Sequence, residues 1–325
     1  MNYSTFDRFA GAWWGSAIAG ALSQDLNFGD RTKILRYKNP DWIATRNKIG
    51  QIIVKDGRLD RIDSQLVELL SDDATSVSID PIDLPYRLMS LLLPIILFAE
   101  DNKYICKGII TQCHFKSDQT SQLKEYLLIW SYILTLVLNN KFQFKEPNVS
   151  KSIDLLLGGG EIKTTSLVEK LEMVSQAWSN GLSLRQLSDQ LRQPINKDRD
   201  EVETASIAIA LSWFCFASTP RNFMLSVKRA SHINSRLSVP TAILTATISG
   251  AYNGVAGIPR SWRETSNSDR VEEETKNTIK QLFQTWLGIH HSLESKDLFC
   301  NPEIHAVAMP KIIQPRQNLK IISQK

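Results

Sequence analysis

The stretch "TAILTATISGAYNGVAGIPRSW", Thr241 to Trp262, decides how this chain folds. Ala242, Ala246 and Gly250 recur at i, i+4 and i+8, so on a helix they line one face with almost no side-chain bulk. Thr241, Thr245 and Ser249 form the neighbouring stripe. Such a face lets a second helix approach to the short end of interaxial distances. Gly254 is placed to close the helix, with Pro259 opening a new turn and Trp262 serving as an anchor. A partner is present near the start of the chain, where Gly11, Gly15 and Ala19 repeat at the same spacing.

Working outward, helical periodicity dominates and strand-like alternation is nearly absent. The pattern predicts helices at 5–22, 43–56, 62–71, 84–99, 103–113, 121–139, 165–179, 183–192, 200–216, 221–231, 240–252 and 270–288. Turn signals separate them, among them "KNPD" at 38–41, "KDGR" at 55–58 and "STPRN" at 218–222. The expectation is an all-α chain with one helical domain over residues 1–300 and a basic tail over 301–325.

Composition narrows the function classes. Of the 325 residues, 42% are hydrophobic and 22% charged, enough for a packed core. A net charge of +4, much of it in the tail, lacks the concentrated basic face expected of a nucleic-acid binder. "GLSLRQLSDQLRQP" (181–194) opens like a helix-turn-helix, but the acidic "PINKDRDEVE" follows where a recognition helix would meet phosphate. No nucleic-acid partner is expected.

The apolar runs at 88–99 and 126–138 fall well below the roughly 20 residues that span a bilayer. "FAGAWWGSAIAGALS" (9–23) resembles a leader only superficially, since Asp7 and two tryptophans interrupt the pattern. Four scattered cysteines without a CxxC pair argue against zinc and fit a reducing compartment, so a soluble, cytoplasmic protein is expected.

"LLLGGGEIKT" fails the phosphate-loop spacing, and no G-x-S-x-G elbow appears. His290 and His291 are adjacent and so face different sides of a helix.

Four segments in order resemble the ADP-ribosylglycohydrolases, the family that includes the dinitrogenase-reductase-activating glycohydrolase. "RFAGAWWGSAIAGALS" is similar to the family's first helix, with its G-x-x-x-G-x-A-x-G-D-A-L-G run. "LMSLLLPIILFAEDN" with "CHFKSD" resembles its R-x-x-P and T-H segments. "VETASIAIALSWFCFASTPRNFMLSVKRA" resembles the helices before its metal loop. "TAILTATISGAYNGVAGIPRSW" resembles A-G-A-x-x-G-A-Y-x-G-x-x-x-I-P-x-x-W.

The resemblance implies an all-α ADP-ribosylglycohydrolase-like fold around a dinuclear magnesium site that cleaves a glycosidic bond of ADP-ribose. Its ligands would come from a T-D-D-T motif after the first helix and a G-G-D-x-D-T/S motif before the small-residue helix.

Carried over residue by residue, the second motif reads Ser235, Arg236, Leu237, Ser238, Val239 and Pro240, with leucine and valine in place of both aspartates. The first falls near "NPDWIATR", where only Asp41 is acidic. The first-helix Asp falls on Gly20, and the R-x-x-P arginine on Leu91. Magnesium takes oxygen ligands, which leucine and valine cannot supply. The expectation is therefore a pseudoenzyme with no cofactor and no catalytic or metal residues, binding a partner protein or an ADP-ribose-like ligand. Asp41, Ser235, Arg236 and Ser238 are candidates for the remnant cleft, with Arg236 replacing the metal's charge or pairing with Asp41. The alternatives are a hydrolase with relocated ligands, drawn from Asp30, Asp41, Asp72 or Asp73, and a structural interaction scaffold.

Overall fold

A computed structural model of the chain describes residues 4–23, 40–59, 64–75, 83–100, 102–115, 120–139, 166–192, 201–233, 236–263 and 269–289. These residues form helices and no strand. In chain order they are α1 (Thr5–Ser23), α2 (Trp42–Asp56), α3 (Ser64–Thr75), α4 (Leu84–Leu91), α5 (Leu93–Phe98), α6 (Lys103–Gln112) and α7 (Thr120–Leu138). They continue with α8 (Ser166–Ser179), α9 (Leu184–Arg192), α10 (Glu201–Ser218), α11 (Phe223–Ser231) and α12 (Ser238–Asn253). A 3-10 turn (Val255–Gly257), α13 (Arg260–Arg263) and α14 (Asp269–Trp286) close the described part. The all-α expectation holds, with boundaries within a few residues except at two places. The single helix expected over 84–99 is broken at Leu92, because Pro94 has no N–H to give and its ring crowds the carbonyl one turn back. The helix α3 runs on to Thr75, past the expected end at 71.

The centre of the fold is α12, which packs on α1, α11, α10 and α7. Its contact with α1 is the most extensive between any two described helices. The small-residue faces meet in antiparallel register. A Cβ on Gly11 would fall well under 3.0 Å from the Gly250 carbonyl oxygen, one on Gly250 equally close to the Gly11 oxygen, and one on Gly15 equally close to the Ala246 oxygen. Backbone therefore lies on backbone, as the spacing predicts. Gly254 ends α12 at φ 64°, a conformation L side chains rarely adopt. Arg8 ties the seam at its far end, donating from Nε to the Ala251 carbonyl (3.0 Å) and from Nη2 to the Val137 carbonyl on α7.

Around this pair the core is built of large apolar side chains, with Trp13, Trp130, Trp213, Tyr126 and Phe216 among the largest that are fully buried.

Candidate functional site

The entrance of α12 is where the sequence argument concentrates. Leu237 occupies the N-cap and makes no side-chain cap bond, as leucine has no oxygen to offer the first-turn amides. Its side chain is 6% exposed and packs into the core. Val239 is half-buried against the cluster formed by Ile18, Leu22, Phe223 and Ile243. Pro240 takes the third helical position, where its missing N–H costs no hydrogen bond. The next residue, Thr241, is fully buried and its hydroxyl has no hydrogen-bond partner. Beside this turn lies a small pocket lined by Tyr86, Met89, Ala208, Pro240 and Leu244, with room for about one water molecule.

Opposite it come the end of α1 and the start of α2. A Cβ on Gly20 would stand 2.8 Å from Pro40 and 3.1 Å from the Trp42 ring, with Ile243 of α12 at 3.8 Å. Trp42 is 4% exposed and Ile243 1%. So Gly20, one position that the family resemblance makes acidic, faces proline, tryptophan and isoleucine, while the other two, Leu237 and Val239, pack into apolar clusters. A carboxylate placed among these groups would lose its hydration. Among the described residues, no group of three His, Cys, Asp or Glu side chains is placed to hold a metal ion. The described residues do not fit a dinuclear magnesium site.

Asp41 stands at the N-terminus of α2 with its side chain largely in solvent. It accepts the Trp42 N–H (2.8 Å) and pairs with Arg87 of α4 (2.8 Å). Partial burial pushes its carboxyl up, but Arg87 and the backbone N–H outweigh that and hold it below the usual carboxylate range. Asp41 thus pairs with Arg87, and the pairing expected with Arg236 is not formed. Arg236 is exposed to solvent at the entrance of α12 and forms no ion pair among the described residues. Ser238 is half-buried in the first turn of α12. Ser235 and Asp30 lie outside the described residues, as do the side chains of Asp72 and Asp73 and the tail from 290 onward.

The buried cation is a different residue. Arg46, one turn into α2, is fully buried. Its guanidinium lies 4.7 Å from the Trp13 ring and 5.0 Å from the Trp42 ring. It donates from Nη1 to Ser16 Oγ (2.5 Å), while Nε and Nη2 have no hydrogen-bond partner. Burial alone lowers its pKa to about 9, with no carboxylate compensating. Two indole faces supply what favourable electrostatics it has. Sequence reasoning passed over Arg46, although the signal is there: Arg46, Ile49, Gly50 and Ile53 share the inward stripe of α2.

Nucleophile chemistry finds no support in the thiols. Burial pushes Cys106 and Cys215 up to about 12 and Cys113 to about 11, which keeps all three protonated at neutral pH.

Comparison with known proteins adds the fold. No protein-family model matches the chain, and no curated protein matches it. Among solved structures, one described as an "ADP-ribosylglycohydrolase-related protein complex" superposes over 87% of this chain and 99% of its own. The TM-score is 0.53 and the sequence identity 13%. At that identity the likeness is one of fold, and it makes this an all-helical, ADP-ribosylglycohydrolase-like chain.

Proposed function

We propose that this protein works by binding a partner protein, on an ADP-ribosylglycohydrolase-like scaffold that has no magnesium-dependent hydrolase activity. The observation that carries this reading is the filling of the space between α1, α2 and α12 by Pro40, Trp42 and Ile243 around Gly20. A two-metal hydrolysis needs carboxylates to hold the ions and polarise the attacking water, and the matching positions here offer hydrocarbon. Losing a general base alone costs about 10²–10⁴-fold, and here the ligand set goes with it.

A partner protein suits the geometry better than a nucleotide-like ligand does. Small-molecule sites enclose about 300–1,000 Å³, whereas the pocket beside α12 takes about one water. The test is isothermal titration of ADP-ribose into the full chain, with and without magnesium. No binding in either buffer is the expected result. Binding that tightens with magnesium would return the hydrolase with relocated ligands, and magnesium-independent binding would make the protein a ligand sensor.

A further inference from the structure

The sixty residues from Thr204 to Arg263 contain no Asp or Glu, in a chain that has 34 acidic residues among 325. Much of the stretch is core, where acids are not expected: α10 and α12 are nearly wholly buried. The solvent-facing positions are the informative ones. They lie on α11, on the segments flanking it and on α13, and their charges are Arg221, Lys228, Arg229, Arg236, Arg260 and Arg263.

On α11 the buried side is Phe223, Ser226, Val227 and Ala230. The opposite side carries Leu225 and Lys228, with Arg221 and His232 continuing the same stripe at i−4 and i+7 from Leu225. Leu225 is 43% exposed, one of two large hydrophobic side chains left in solvent among the described residues. Arg229 flanks it, its guanidinium held 5.9 Å from the Phe214 ring.

For the cations on α11 and its flanks, the acids of two neighbouring described elements are engaged elsewhere. The one acid of α1, Asp7, accepts a hydrogen bond from Ser4 at the far end of that helix. Glu203 of α10 is taken by Lys170 of α8. Arg221, Lys228, Arg229 and Arg236 form no ion pair among the described residues.

Helix stability accounts for only part of this. Lys228 and Arg229, in the last turn of α11, suit its dipole. Arg221 does not, since it precedes the Asn222 N-cap of α11, and Arg236 does not, since it precedes the Leu237 N-cap of α12. Both stand at the positive end of a helix, where a cation is disfavoured.

We infer that the outer face of α11, from Arg221 to Arg236, docks an acidic segment of another protein that places an apolar side chain on Leu225. This rests on the binding reading above and supplies the chemistry of its partner. An apolar residue at the centre of a cationic rim is the usual anatomy of a protein interface. A phosphate backbone would find the cations but have no use for Leu225. From Arg221 to His232 the stripe runs about 16 Å, the length of roughly three helical turns of a bound peptide.

The experiment uses the full chain and a fluorescein-labelled twelve-residue peptide of repeating Glu-Glu-Leu, read by anisotropy. The reference double variant, Lys48→Glu/Lys55→Glu, makes the same charge change on exposed positions of α2. Arg221→Glu/Lys228→Glu is expected to weaken the peptide at least about tenfold more than the reference variant does. Leu225→Ser is expected to weaken it about threefold or more, with no effect on a Glu-Glu-Ser peptide. Equal losses in the two double variants would reduce the effect to net charge and overturn the site. So would no binding of the peptide, or tighter binding of a twelve-nucleotide oligothymidylate or of phosphatidylserine vesicles lost on the same substitutions. Magnesium-dependent hydrolysis of ADP-ribose is measured separately; finding it would sink the pseudoenzyme reading and leave the α11 result standing on its own terms.

Discussion

Gly250→Ala tests the seam on which the fold is built. Helix propensity alone favours alanine by about 1 kcal/mol, so an exposed mid-helix site would gain stability. Here the new methyl falls well under 3.0 Å from the carbonyl oxygen of Gly11, with the Gly11 carbonyl carbon and the Ala12 nitrogen also close. These are backbone atoms and cannot rotate aside, so α1 and α12 must move apart. Overpacking of this kind costs about 1–3 kcal/mol, and backbone on both sides puts it at the upper end. Opening the crossing by about 1 Å forfeits a quarter to a half of each dispersion contact along it, about another 1–2 kcal/mol. Set against the propensity gain, the net loss is about 2–4 kcal/mol. For a chain of this size that lowers the unfolding midpoint by about 3–6 °C in a thermal scan. Gly181→Ala calibrates the measurement, since Gly181 has open space around it and its only penalty is its φ of 66°. That variant is expected to lose about 1 kcal/mol. The double variant Gly11→Ala/Gly250→Ala should fall short of additivity, because one separation relieves both overlaps. A midpoint for Gly250→Ala equal to or above the parent would refute the backbone-on-backbone contact.

Three further outcomes follow from the site. Arg46→Met removes an uncompensated buried charge at similar length, so urea unfolding at pH 7 should show stability unchanged or raised by about 1–3 kcal/mol. The folded-state pKa of Arg46 is lowered to about 9, so above that pH the native state sheds the proton first while the unfolded chain still binds it. Stability of the parent therefore rises with pH there, and its deficit against Arg46→Met should shrink by pH 10. A loss above about 1 kcal/mol at pH 7 would mean the charge is satisfied after all. Asp41→Asn should change stability by less than about 1 kcal/mol, as the Asp41 side of the Arg87 pair is solvent-exposed. Whatever Asp41 contributes is complete above its unfolded value of 3.8 and lost as pH falls through its lower folded value, so a parent–variant difference that grows on acidification would contradict the pairing. Leu237→Asp/Val239→Asp restores the carboxylates of the family motif but buries at least one, costing about 3 kcal/mol or more. Added magnesium should leave its unfolding midpoint where it was, and a rise of several degrees would show that the space is open enough to coordinate a cation.

The seam was legible because its signal is local. Small residues at i, i+4 and i+8 mark a close approach wherever the partner sits, and Gly11, Gly15 and Ala19 repeat the spacing with two glycines. The filling of the cleft was legible as a question, since Leu237 and Val239 are plainly not ligands. What stands there instead was not. Trp42 closes on Gly20 from 22 positions along the chain, and Asp41 finds Arg87 on α4 rather than Arg236. Arg46 shows the same blindness in a sharper form. Its stripe with Ile49 and Ile53 predicts burial, but burial of an arginine is only credible once Trp13, Trp42 and Ser16 are seen around it. Periodicity reports which way a side chain faces and stays silent about what it meets.

That division has a physical basis in how the molecule is assembled. The α1–α12 crossing at Gly11, Gly15, Ala246 and Gly250 is made backbone on backbone, so there it depends on the small residues of two faces. The entrance of α12 can carry Asp, Leu or Val without disturbing it, since residues 237–239 precede the seam by one to three turns. Fold and chemistry are therefore separable here, and a superposition over 87% of the chain speaks to the fold alone. The entrance must be argued from its own side chains. Those are hydrocarbon packed against hydrocarbon, with the nearest fully buried charge, Arg46, facing indole rings instead of an anion. Such an entrance can still stabilise and present a surface, and the cations without an ion pair among the described residues lie outside it, on the outer face of α11.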